Sequence, residues 1–196
     1  MLRFGLIVGS TRPRRFAQIP AEWLLTGAVD RADFRLDVLD LREIDLPFLD
    51  ESFPPAMLDG AYANPKANAW RQRLAQCDGF IATVAEYNHG PTAVLKNAFD
   101  SAFTEWQRKP IAFAGYGTTG AARAIGQLRG ITVELQMVPL RHEVTIGLEP
   151  FIAVQNKEKA LSDYDHLNRA RTALFDNLVW WASALKTARN KLRVVA

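Results

Sequence analysis

The 196-residue sequence predicts an α/β fold: a doubly wound, five-stranded parallel sheet in the order 2-1-3-4-5 with a long C-terminal helix. Three observations carry this. Short apolar runs alternate with helical patterns, the runs are too uniformly apolar for burial on one face only, and three of them end in loops rich in Gly, hydroxyl or charged residues. Right-handed crossovers and short connections leave few other arrangements, and this order sets strands 1, 3 and 4 side by side.

Leu2 to Val8 has no charge after Arg3 and reads as a central strand that stops at Gly9. The segment Gly9-Ser10-Thr11-Arg12-Pro13-Arg14-Arg15-Phe16 then supplies a Gly for a tight turn, two hydroxyls and three arginines before a helix from about Ala17 to Leu25. Amides at a helix start attract an anion, and hydroxyl and guanidinium groups add donors. The segment reads as a phosphate cradle, with a solvated basic turn as the simpler alternative. It is not a Walker loop, which ends in Gly-Lys-Ser/Thr, nor a nucleophile elbow, because Ser10 lacks flanking glycines. Serine hydrolase chemistry is disfavoured accordingly.

Phe34 to Leu41 alternates, as suits a strand at or near a sheet edge, and Asp45 to Pro65 is a proline-bearing long loop that could border a site or a partner subunit. Pro65 to Gln76 reads as a helix with Trp70 and Leu74 facing the core. Phe80 to Val84 is the third strand, followed by Ala85-Glu86-Tyr87-Asn88-His89-Gly90 and a helix over Pro91 to Trp106 with Leu95, Phe99, Ala102 and Trp106 as its buried stripe. Ile111 to Ala114 is the fourth strand, followed by Gly115-Tyr116-Gly117-Thr118-Thr119-Gly120 and a helix from about Ala121 to Leu128. Strand candidates lie around Glu134 to Val138 and Glu143 to Ile146. Tyr164, Leu167, Leu174, Leu178, Trp181 and Leu185 recur at helical spacing, and Lys186 to Arg193 forms a basic, solvated helix end.

The composition is that of a folded chain, at 48% hydrophobic and 23% charged residues, and the whole of 1–196 is read as one domain. An excess of 24 Lys and Arg over 21 Asp and Glu, without a long basic run, suits anionic ligands and is weak evidence for nucleic-acid binding, so no nucleic-acid partner is expected. No signal or membrane span is visible, and the lone Cys77 excludes an internal disulfide, so the cytoplasm is the expected compartment. His89, His142 and His166 are scattered, and no metal is expected.

In this topology the arginine loop, the Tyr87-Asn88 loop and the 115–120 loop leave the carboxyl ends of neighbouring strands and converge on one sheet edge. Phosphate donors beside an aromatic group and a flexible backbone describe a flavin mononucleotide (FMN) site. The rival is Gly115-x-Gly117-x-x-Gly120, which matches a dinucleotide fingerprint with Glu134 downstream. That fingerprint belongs in the first βα unit, where the arginine loop stands, and Glu134 would begin a strand rather than end one.

These motifs resemble the NADPH-dependent FMN reductases of the flavodoxin-like superfamily, which include quinone, azo-dye and chromate reductases. The resemblance covers about Arg3 to Ile146 and rests on Gly-Ser-Thr-Arg at 9–12, Glu-Tyr-Asn-His-Gly at 86–90, Leu-Lys-Asn-Ala-Phe-Asp at 95–100, Glu105-Trp106 with Lys109-Pro110, and Tyr116-Gly117. It implies that Ser10, Arg12 and Arg15 hold the FMN phosphate, with Phe16 and Ala17 closing the cradle and Arg14 outside it. It further implies that Glu86, Tyr87 and Asn88 line the isoalloxazine and that Gly115 and Gly117 meet its far edge. Ala85 stands where the family has Pro, and Gly120-Ala121 where it has a Gly pair. The implied reaction passes hydride from NADPH or NADH through FMN to a small-molecule acceptor, such as a quinone, azo compound, metal oxyanion or free flavin. A homodimer or homotetramer is implied too. A flavin-binding redox carrier or sensor without turnover is the alternative from the residues alone.

Overall fold

In a computed structural model, residues 1–58 and 60–195 are described, with side chains through Lys191 except that of Asp59. Seven strands form the sheet: β1 (Leu2–Val8), β2 (Phe34–Asp40), β3 (Gly79–Tyr87), β4 (Gly90–Pro91), β5 (Pro110–Tyr116), β6 (Val138–Pro139) and β7 (Val144–Ile146). The helices are α1 (Gln18–Ala28), α2 (Leu41–Ile44), α3 (Pro65–Ala75), α4 (Ala93–Asp100), α5 (Ala122–Glu134), α6 (Leu148–Gln155) and α7 (Asp165–Val195).

The parallel order is β2-β1-β3-β5, and the fifth place is shared by β6 and β7, which pair with the start and end of β5. This is the flavodoxin-like 2-1-3-4-5 sheet, with its last strand broken in two. Alternation along each strand feeds two cores. Phe4, Leu6 and Val8 of β1 with Ala112 and Ala114 of β5 pack under α1 and α7, while Ile7, Phe80, Ala82 and Phe113 pack under α3, α4 and α5. Strands buried on both faces are why the sequence shows runs instead of alternation.

Several expectations are corrected. The helix over Pro91 to Trp106 stops at Asp100, where Ser101 Oγ donates to Asn97 O at 2.7 Å. The chain then folds back so that Trp106 fills the core between Phe80 and Phe99, with its indole N–H donating to Phe99 O. Burying that indole outweighs two more helical turns. Residues 134–138 are not a strand, since Glu134 ends α5 and of this stretch Val138 alone pairs with β5, as the first residue of β6. On α7, Leu167, Leu174 and Leu178 are buried, whereas Trp181 lies at the surface and Phe175 and Ala182 take the inner positions. The basic helix end is tied down as well: Lys186 and Arg189 both pair with Asp78, and Arg193 lies outside the described side chains.

Candidate functional site

The chain after β1 turns through a hydrogen bond from Arg15 N to Arg12 O and enters α1 at Ala17, which offers no side-chain cap. No acidic residue stands in the first turn of α1. Ile19 N donates to Phe16 O and Pro20 has no N–H, so it is the amides of Ala17 and Gln18, with the helix dipole, that present positive potential to the sheet edge. Other helices that start on this edge are closed by their own chain. Asp40 accepts from Arg42 N at α2, and Thr92 accepts from Leu95 N at α4. At α5 the Glu86 carboxylate accepts from the amides of Arg123 and Ala124 and pairs with the Arg123 guanidinium. Burial alone would raise the Glu86 pKa, but Arg123 and these amides outweigh it and hold the carboxyl below its usual range.

A cavity of about 260 Å³ opens between these elements, lined by Ser10, Arg12, Arg14, Arg15, Phe16, Ala85, Glu86, Tyr87, Tyr116, Gly117, Thr118, Phe151 and Gln155. Ser10 Oγ and Tyr87 Oη lie 3.1 Å apart across it, and the Arg12 guanidinium sits 6.0 Å from the centre of the Tyr87 ring. The three arginines are in different states. Arg15 is buried, with Nη1 donating to Ser10 O at 2.6 Å and to Asp40 Oδ1 at 2.7 Å, and Nη2 pairing with Asp40 Oδ2. It pins the loop to the end of β2. Its Nε is buried without a partner, so the cradle is one acceptor short. Arg12 and Arg14 are exposed at the rim.

The structure thus gathers eight of the eleven residues singled out from sequence: Ser10, Arg12, Arg15, Phe16, Ala85, Glu86, Tyr87 and Gly117. Three stand apart from the cavity wall. Ala17 is fully buried at the start of α1. Gly115 lies within β5, where an added Cβ would strike the Gly120 carbonyl, so this glycine serves close packing. Asn88 forms, with His89, the two-residue turn joining β3 to β4; both have positive φ, as a type I′ hairpin requires. The Glu86 carboxylate faces α5, which leaves its backbone for a ligand. Gly117, at φ +116° with open space where a Cβ would be, is the flexible point of the third loop.

Five lining groups lie outside the sequence expectation: Arg14, Tyr116, Thr118, Phe151 and Gln155. Arg14 shares the cavity with Arg12. Tyr116 was legible only as part of a loop; burial, with Tyr87 nearby, raises its hydroxyl pKa well above the ordinary value. Phe151 and Gln155 come from α6, and Phe151 packs on Phe16 at 4.7 Å and lies near-parallel to Tyr116. The signal available for α6 was Leu148, Phe151 and Ile152 at helical spacing after Gly147. Among the described residues no cluster of His, Cys, Asp or Glu could hold a metal ion.

The uncapped helix start, the unsatisfied Arg15 nitrogen and the aromatic walls fit a planar ligand that carries a phosphate. A family profile described as NADPH-dependent FMN reductase matches residues 2–150. The NAD(P)H-dependent FMN reductase ntnL of Nectria sp is 32% identical over 167 residues, covering 83% of this chain and 82% of that protein. A 2-hydroxy-1,4-benzoquinone reductase of Burkholderia sp is 32% identical over 146 residues, covering 70% and 73%. FerB, a flavoenzyme NAD(P)H:(acceptor) oxidoreductase of Paracoccus denitrificans, superposes with a TM-score of 0.73 at 22% identity over 94% of this chain and 98% of FerB.

Proposed function

Given that this chain belongs to the NADPH-dependent FMN reductase family and is an FMN-dependent NAD(P)H oxidoreductase, we propose that FMN occupies the cavity between the 9–17 loop, the end of β3 and Gly117. The observation that carries this is the bare start of α1 beside Ser10, Arg12 and the unsatisfied Nε of Arg15. Those groups would hold the phosphate, and Ala17 and Phe16 would close the cradle behind it. Ala85, Glu86 and Tyr87 would meet the ring through backbone and the phenol face, with Gly117 approaching it from β5. Asn88 and Gly115 would act by shaping the loops that carry these contacts. Bound FMN supplies the redox step, accepting hydride from the nicotinamide and passing reducing equivalents to an acceptor. The protein orients it, and no side-chain acid or base is required.

The acceptor class is quinone-like, azo, metal-oxyanion or free flavin, a reading supported by the quinone reductase among the relatives. We assign the protein to the cytoplasm, consistent with a single buried thiol and with no described helix long and apolar enough to cross a membrane. We also assign it a homodimeric or homotetrameric state, in which a second copy covers the 45–64 loop. Phe48, Phe53 and Met57 there are 76%, 63% and 71% exposed.

The test is spectroscopic. The purified protein should bind FMN, and anaerobic NADPH or NADH should bleach it; bound FMN that no nicotinamide bleaches would leave a redox carrier. Arg12→Ala should weaken FMN binding by about tenfold, from the loss of one charge-assisted contact. An unchanged affinity by fluorescence titration would remove Arg12 from the cradle.

A further inference from the structure

We propose that Arg14 recognises the 2′-phosphate of NADPH and so sets a preference for NADPH over NADH. The inference rests on the placement of FMN given above. The 9–17 loop brings three guanidinium groups to one cavity. They are not equivalent. Arg15 is neutralised by Asp40 and fixes the loop. Arg12 lies over the Tyr87 ring, whose hydroxyl meets Ser10. Arg14 is exposed at the rim and has no hydrogen bond, ion pair or ring contact among the described residues. Gln155 of α6, an exposed amide, lines the same cavity.

A nicotinamide dinucleotide has to reach a flavin seated in this cavity from the solvent side, so its phosphates pass the rim. Its pyrophosphate carries about one charge per phosphorus, whereas the 2′-phosphate is a monoester with close to two charges and three equivalent oxygens. A free, planar guanidinium gains most from the latter, because it can donate two parallel hydrogen bonds. Lysine supplies the charge without that fork. The chemistry therefore assigns Arg14 to the one group by which NADPH differs from NADH.

The experiment compares wild type, Arg14→Ala and Arg14→Lys, all as FMN-loaded protein, with NADPH and NADH as alternative donors. Arg14→Ala should raise the ratio of the KM for NADPH to that for NADH by about tenfold, and should weaken competition by 2′,5′-ADP but not by 5′-ADP, while Arg14→Lys restores part of the difference. FMN affinity, titrated on the apoprotein, should change by less than about twofold, as an exposed group outside the phosphate contact implies. An equal loss with both donors would place Arg14 at the pyrophosphate and overturn the assignment. A tenfold loss of FMN affinity would place it in the flavin cradle and also overturn it. Failure of the wild type to take up FMN would instead reject the flavin site itself.

Discussion

At the scale of residues, Glu86 carries the clearest prediction. Its side chain is only 9% exposed and serves as the anion at the start of α5. Its folded pKa lies below the unfolded value near 4.5, so its contribution is complete above that pH and is lost as the pH falls through the folded value. Glu86→Gln should lower stability by about 1–2 kcal/mol at neutral pH, and thermal melts between pH 3 and 7 should show a shallower acid limb than wild type. Cys77 offers a second. Burial pushes its thiol up to about 11, so a thiol reagent at neutral pH should label it far more slowly in the native protein than in denaturant. Ala121, where the resemblance implies a glycine, sits at φ +59° with its methyl fully buried. The left-handed backbone costs about 1 kcal/mol and the buried methyl contributes about as much, which explains how the departure is tolerated.

Among the elements, β5 is entered through a buried ionisable group. Lys109 is buried with its Nζ donating to Leu74 O at 2.9 Å, and burial lowers its pKa to about 8. Because the unfolded chain holds that proton up to about 10.5, stability should rise with pH above 8, by about 1 kcal/mol by pH 9. Cys77 works in the opposite sense. Its raised pKa means that the unfolded state loses the thiol proton first, so stability falls between about 9 and 11. Urea midpoints should therefore climb from pH 7.5 to 9 and then flatten, and Cys77→Ala should restore the climb; a flat profile in that variant would show that Lys109 titrates normally. The elements also mark what the sequence could tell. The four long strands and their loops were legible because burial on both faces writes apolar runs, and the cradle because arginines and hydroxyls there follow one directly. The end of α4, the reach of α5 to Glu134 and the short α6 were not, because each is decided by a distant partner: Trp106 returning to Phe80, β5 pairing with Val138, and Phe151 seating on Phe16. The separate state of each arginine was invisible for the same reason, since Asp40 lies far along the chain from Arg15.

For the whole molecule, the exposed apolar loop predicts assembly. Phe48→Asp combined with Phe53→Asp should shift the protein to a monomer in light scattering, with secondary structure by circular dichroism retained; a wild type that already runs as a monomer would reject the covered-loop reading. The distribution of helix caps has a further consequence. Asp40, Thr92 and Glu86 occupy the starts of α2, α4 and α5, and Glu149 places a carboxylate in the first turn of α6. A phosphate arriving at this edge meets internal competitors at the starts of α2, α4, α5 and α6, and none at that of α1. The caps thus act as an address system as well as supports for their helices. On the flavin placement proposed above, a phosphate directed to the start of α1 would orient the ring, and the face it turns to solvent, before any contact to the ring is made.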